Sequence, residues 1–129
     1  MARPSSPHPT PLELEILKIL WRDGRSPVRH VRQSLAKTGR ELAHTSVTTI
    51  MTIMTRKGYL RRINEDGAHL YTPLLKERST LRRMLQDLVD RAFNGSASTV
   101  ALHLLETSDL TRDDLKELRE LVARKARKP

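Results

Sequence analysis

Apolar positions recur along this chain with the helical period, interrupted once by a short alternating stretch. Leu12, Ile16, Ile19 and Leu20 form the first stripe, with Leu17 beside it. Thr10-Pro11-Leu12-Glu13 opens that stripe as a helix start: a Thr cap, Pro at the first helical position and Glu three residues after the cap. Trp21 closes the helix near Asp23-Gly24. Ser26-Pro27 repeats the cap-plus-proline device and predicts a second helix to about Lys37, burying Val28, Val31 and Leu35 and ending at Thr38-Gly39.

A third helix is predicted over residues 45–58, TSVTTIMTIMTRKG. Val47, Ile50, Met51 and Met54 fall at i, i+3, i+4 and i+7, one buried face. The opposite face carries Thr45, Thr49, Thr52 and Arg56, flanked by Thr48 and Ile53. Thr45 or Ser46 is the expected cap and Gly58 the stop. A solvated helix face usually mixes Glu and Lys; this one has five threonines, a serine and no acid. Small hydroxyl side chains can approach a DNA major groove, bond base edges and touch a thymine methyl. A threonine-rich surface helix is the plain alternative. Three short helices with tight turns, the third polar outside, make a helix-turn-helix pattern.

Beyond Gly58 the texture changes. Residues 60–64 and 68–72 flank Glu65-Asp66-Gly67, an Asp-Gly hairpin signal. Tyr59, Leu60, Ile63, Leu70 and Tyr71 can pack it on the helices, which predicts a winged helix with Arg61 and Arg62 beside a DNA backbone. Ordinary surface charge is the alternative for those two arginines. Pro73 marks a boundary. A long helix follows from about Lys76, with Leu81, Met84, Leu85, Leu88, Val89, Ala92 and Phe93 on its apolar face and Asn94-Gly95 at its end. Ser98 is the expected cap of a short helix bearing Val100, Ala101, Leu104 and Leu105. Thr111 with Asp114 opens a last helix carrying Leu115, Leu118, Leu121 and Val122.

The expected fold is therefore mainly α. Residues 1–9 read as a disordered proline-rich leader, 10–75 as a winged helix-turn-helix DNA-binding domain with a small β-hairpin wing, 76–123 as a three-helix dimerisation region, and 124–129 as a basic tail. Three amphipathic helices in so short a segment cannot bury their apolar faces well alone. Pairing with a second copy would solve that, and would supply the two-fold symmetry of palindromic DNA sites. The expected dimer contacts are Leu81, Met84, Leu85, Leu88, Val89, Val100, Leu104, Leu115, Leu118 and Val122.

Charge sharpens the picture. The 129 residues hold 24 Lys+Arg against 15 Asp+Glu, a net +9, and such a balance favours a polyanionic partner. Residues 1–75 carry 12 basic and 6 acidic side chains, and 76–129 carry 12 and 9, so the excess concentrates in the half with the threonine helix. The absence of cysteine excludes disulfides, Cys-type zinc fingers and thiol switches. No apolar run approaches the ~20 residues that span a bilayer. MARPSSPHPT lacks a signal core, so a cytoplasmic protein without a membrane is expected. The five histidines show no metal-ligand spacing and no nucleophile motif or phosphate-cradling loop stands out; neither catalysis nor a cofactor is expected.

Across residues 10–123 the chain resembles the penicillinase-repressor (BlaI/MecI) family of bacterial transcription regulators. The resemblance rests on TPLELEILKILW at 10–21, LAHTSVTTIMTIM at 42–54, RKGYL at 56–60 and YTPL at 71–74. It continues through FNGSASTVALHLLE and LTRDDLKELRELV. It implies a dimeric winged-helix repressor that binds double-stranded DNA at an inverted-repeat operator. In some relatives a sensor-protease induces release by cleaving the dimerisation region. Two departures stand out: Ile53 where relatives often carry Arg, and Asp66-Gly67 where they often carry Gly-Arg. His103-Leu104 stands where cleaved relatives tend to have Asn before an aromatic residue. The copper-responsive branch, with its cysteine cluster, is excluded.

Candidate DNA contacts are thus Thr45, Ser46, Thr48, Thr49, Thr52 and Arg56 on the reading helix and His44 just ahead of it. Arg29, Arg32 and Arg40 around the second helix join them, with Arg61 and Arg62 in the wing. Two other classes keep the same charge: a non-specific architectural nucleic-acid binder, and a helical protein-interaction adaptor. A gel shift on the chain's own upstream region, with competitor DNA at stated salt, separates them.

Overall fold

The computed structural model describes residues 8–128. Most of the proposed leader lies outside that range, but Pro9 within it is buried. The order is α1 (Pro11–Asp23), α2 (Val28–Lys37), α3 (His44–Arg56), β1 (Leu60–Glu65), β2 (Ala68–Pro73), α4 (Glu77–Ala92), α5 (Ala97–Thr107) and α6 (Arg112–Ala126). The fold is mainly α with one antiparallel hairpin, a winged helix followed by three helices. It divides into two compact units, residues 1–85 and 86–129. The division falls inside α4, ten residues beyond the Leu75 boundary expected from Pro73.

α1 begins as its sequence dictates. The Thr10 hydroxyl accepts from Glu13 N–H at 3.1 Å, and Glu13 Oε1 accepts from Thr10 N–H at 2.8 Å. Two orphan amides are thereby satisfied. The first unit closes around Ile16, Leu17 and Leu20 of α1, Val31 and Leu35 of α2, and Val47, Met51 and Met54 of α3, none more than 1% exposed. Leu60 and Tyr71 add the hairpin to this core. Each is one side of an amphipathic stripe, so burial alone orients all three helices.

The second helix starts differently from expectation. Pro27, not Ser26, is the N-cap; its carbonyl accepts from His30 and Val31. The Ser26 backbone instead pairs with Tyr71, N–H to O at 3.0 Å and O to N–H at 2.9 Å, as a one-residue third strand beside the hairpin. Extended backbone at Pro27 lets the chain make this bridge before it turns into α2.

The wing is a two-residue hairpin, Leu60 opposite Pro73 through Glu65 opposite Ala68. Asp66 and Gly67 both have positive φ, 52° and 80°, which matches the twist of a tight hairpin turn and explains the Asp-Gly pair. Tyr59 joins wing to helices: its N–H donates to Met54 O, and its carbonyl accepts from Leu74. Trp21 Nε1 donates to Leu75 O at 2.8 Å, tying the end of this layer back to α1.

In the second unit α4 ends where Asn94 and Gly95 turn left-handed (φ 52° and 79°). Ser96 rather than Ser98 caps α5, accepting from Thr99 N–H. Thr111 and Asp114 form the expected capping box of α6. α6 continues to Ala126, so the first half of the expected basic tail is helical.

One buried ion pair crosses the first unit. Lys57 Nζ, at the C-cap of α3, donates to both Glu13 oxygens at 3.2 and 2.9 Å, and lies 5.6 Å from the Tyr59 ring centre. The Glu13 side chain is 5% exposed and that of Lys57 31%. Removing the cation leaves a buried carboxylate with only its Thr10 amide. Lys57→Met is expected to lower unfolding stability by about 2–4 kcal/mol, read by urea denaturation. The partial exposure of Lys57 keeps that below the cost of a fully buried pair. A loss under about 0.5 kcal/mol would show the pair to be dispensable.

Candidate nucleic-acid interface

α3 starts at His44, one residue earlier than expected, and its N-cap is Ala43, with no side-chain cap. Thr45 and Ser46 therefore sit inside the first turn, exposed, rather than capping it. The turn that delivers them is braced by Arg32, whose Nε donates to Leu42 O at 3.0 Å. No acidic residue occupies the first turn, so its free amides and positive dipole end face outward beside His44, suited to an anion. Val47, Met51 and Met54 are fully buried on the other side. Burial of those three fixes which face is presented.

The threonines share one conformation. Thr48, Thr49, Thr52 and Thr55 each donate their hydroxyl to the carbonyl four residues back, at 2.8–2.9 Å. This is the local bond available to Thr within a helix. Each hydroxyl hydrogen is engaged, and what faces outward from the exposed Thr49 and Thr52 is a methyl and oxygen lone pairs. Thr48 is half-buried and contributes less to the outer face.

The cations sort into two groups. Arg29, Arg56, Arg61 and Arg62 are exposed and have no ion-pair partner among the described residues. Arg40 is held by Glu15 at 2.7 Å, an ion pair rather than a directed hydrogen bond, and Arg32 braces the turn. Arg25 lies 3.5 Å from Glu65 at the wing. In the sequence Arg29, Arg32 and Arg40 carry equal weight, because Glu15 is remote from Arg40 in the chain. Arg56, Arg61 and Arg62 line one open cleft of about 510 Å³ between α3 and β1, with Thr52, Thr55 and Leu74. Strand alternation puts Arg62, opposite Tyr71, on the core-facing side of the ribbon and Arg61 on the other.

Two of the histidines have partners within the chain. His30 Nε2 lies 2.7 Å from Asp23 Oδ2, and hydrogen bonds from Arg22 and then His30 hold the Asp23 carboxyl well below the usual carboxylate range. His103 meets the Phe93 ring at 6.4 Å. Among the described residues no group of three or more His, Cys, Asp or Glu could hold a metal. No helix among them is long and apolar enough to cross a membrane.

Exposed apolar side chains recur along α4, α5 and α6. Leu81, Leu85, Leu88, Leu104, Leu115, Leu118 and Val122 are all at least 39% exposed; Met84 and Val100 are half-buried. Neither α5 nor α6 contains a buried residue. Val89 departs from the expected dimer face: at 6% exposed it is packed within the chain. Its position on α4 fits the apolar stripe, which is why periodicity places it with the others.

The profile of the family described as "Penicillinase repressor" matches residues 9–124. The chain is 26% identical over 110 residues to the "Penicillinase repressor" of Bacillus licheniformis, covering 85% of each. It is 20% identical over 113 residues to the "Methicillin resistance regulatory protein MecI" of Staphylococcus aureus, covering 88% of this chain and 91% of that one. To the "Transcriptional regulator BlaI" of Mycobacterium tuberculosis it is 29% identical over 97 residues, 74% of this chain and 70% of the other.

The sorting of cations has a measurable consequence. Replacing Arg56, Arg61 or Arg62 singly by Ala is expected to reduce the slope of log K against log salt by roughly 0.9 for each phosphate that the guanidinium neutralises. Arg40→Ala, whose guanidinium is already paired, is expected to leave that slope unchanged. Fluorescence anisotropy across a salt series on a fixed duplex reads both. Equal slopes for all four variants would refute the sorting.

Proposed function

The chain belongs to the penicillinase-repressor family, and we propose that it works as a homodimer gripping an inverted-repeat operator. It is a DNA-binding transcriptional repressor and not an enzyme. The proposal concerns how it binds: α3 in the major groove of each half-site, Thr45, Ser46, Thr49 and Thr52 toward the base edges, and His44, Arg29, Arg56, Arg61 and Arg62 toward phosphates. Repression of this kind operates in the cytoplasm, with DNA as the partner.

The observation that carries the dimer is that neither α5 nor α6 has a buried residue. Among the described residues, ten of the twelve exposed large apolar side chains belong to α4–α6. Leu115, Leu118 and Val122 fall at i, i+3 and i+7 on α6, one continuous stripe. A monomer rarely leaves such a patch in water. A second copy covers it, and a two-fold axis makes the two α3 helices address a palindrome. Linking two weak half-site contacts typically raises affinity about 10²–10⁴-fold when the geometry fits. The variant Leu118→Glu should therefore sediment as a monomer with an unchanged winged unit by circular dichroism. It should lose about 10²–10⁴-fold in operator affinity. A dimer with intact affinity would sink the proposal.

Release follows from the same dependence. A cut within Val100 to Leu105 of α5 would separate α6 from the DNA-binding unit, and a helix without buried side chains opens easily to a protease. We propose proteolytic induction by a partner protease. Relatives are named for penicillinase and methicillin resistance, so cells are exposed to a cell-wall-active antibiotic and the chain followed by immunoblot. Shorter fragments accompanying derepression are expected; derepression with full-length chain persisting would point to a ligand instead.

A further inference from the structure

α3 carries one large apolar side chain that the core does not use. Val47, Met51 and Met54 are 0% exposed, whereas Ile53 is 38% exposed. At about 100° per residue, Ile53 sits roughly 40° from Thr49 and roughly 60° from Arg56, with Thr49 between them, at the flank of the outward surface. Its exposure does not come from fraying, since the Ile53 carbonyl accepts from Lys57 N–H at 2.9 Å and the helix runs on to Arg56. The neighbouring Thr49 has its hydroxyl hydrogen engaged with the Thr45 carbonyl, as Thr52, about 100° round from Ile53, has with that of Thr48. On the Thr49 side of Ile53 the surface is thus a methyl group and lone pairs, with Arg56 the charged donor beyond it.

In the major groove the C5-methyl of thymine is the one apolar group a base edge presents. Guanine shows two acceptors there, and neither Ile53 nor the back-bonded threonines can donate to them. We infer that Ile53 is a specificity-determining residue of this repressor, and that it reads thymine by contact with its C5-methyl. The adjacent Thr49 methyl extends the same apolar surface, so the base pair under Ile53 is expected to be A·T with the thymine methyl turned to the helix. This rests on α3 lying in the major groove, as proposed above.

The experiment uses the full-length chain. A preferred duplex is first selected from random sequence. Each thymine of one half-site, and its symmetry mate, is then replaced by deoxyuridine, which removes only the methyl. One or two positions should show a loss of about threefold to tenfold in affinity. In Ile53→Ala, whose exposed position leaves the core untouched, the penalty at those positions should vanish, while Ile53→Val should keep part of it. Equal deoxyuridine penalties in wild type and Ile53→Ala would overturn the inference and leave operator binding standing. Failure of the selection to enrich any sequence would overturn sequence-specific binding itself, and the inference with it.

Discussion

The Glu13 carboxylate is the constraint on which the first unit depends. One oxygen closes the first turn of α1, and both receive Lys57 from the end of α3. The start of the first helix and the end of the third are therefore held at one point. Lys57 also lies against Tyr59, whose backbone links α3 to the strand-end at Leu74. Hydrophobic burial decides that α3 packs with its methionines inward. It is non-directional, however, and leaves sliding along the helix axis weakly opposed. A bidentate charged contact in a desolvated site opposes sliding strongly, because small displacements leave a carboxylate unpaired.

The two units solve the burial problem differently. Residues 11–75 close a core from three helices and a hairpin, with polar bridges at Trp21 and Ser26 sealing the seams. α5 and α6 have well-made caps at Ser96 and Thr111 yet no core of their own. Their helices are specified locally and left incomplete tertiarily. In the dimer proposed above, such an arrangement would couple the persistence of the second unit to concentration, since association would cover its apolar faces.

Much of this is legible in the sequence because short-range chemistry writes it. Thr10 with Glu13, Thr111 with Asp114, Asp66-Gly67 and Asn94-Gly95 each act over four residues or fewer, and each stands where expected. What escapes lies between remote positions. Glu13 and Lys57 are 44 residues apart, and Glu15 with Arg40, and Ser26 with Tyr71, have no local signature. Ser26 reads as a cap because Ser-Pro is a local helix start, and the sheet outcompetes it. Val89 illustrates a different limit. Helical periodicity places a residue on an apolar stripe, but does not say whether its neighbours on that stripe belong to the same chain. At α3 the expected cap fails because Ala43 can adopt the extended backbone of an N-cap without a side-chain bond, while Arg32 orders the turn from outside.

The back-bonded threonines also bear on the entropy of recognition. A side chain that hydrogen-bonds its own helix has its rotamer chosen before any partner arrives. Lysine or arginine in the same places would each surrender about 1.5–2 kcal/mol of rotamer freedom on contact. Thr49 and Thr52, held to Thr45 and Thr48 at 2.9 and 2.8 Å, have little left to lose. In the docking proposed above, their surface would meet the groove as a rigid template. Adaptability would reside instead in the arginines at its margin, following a phosphate backbone whose local shape varies with sequence.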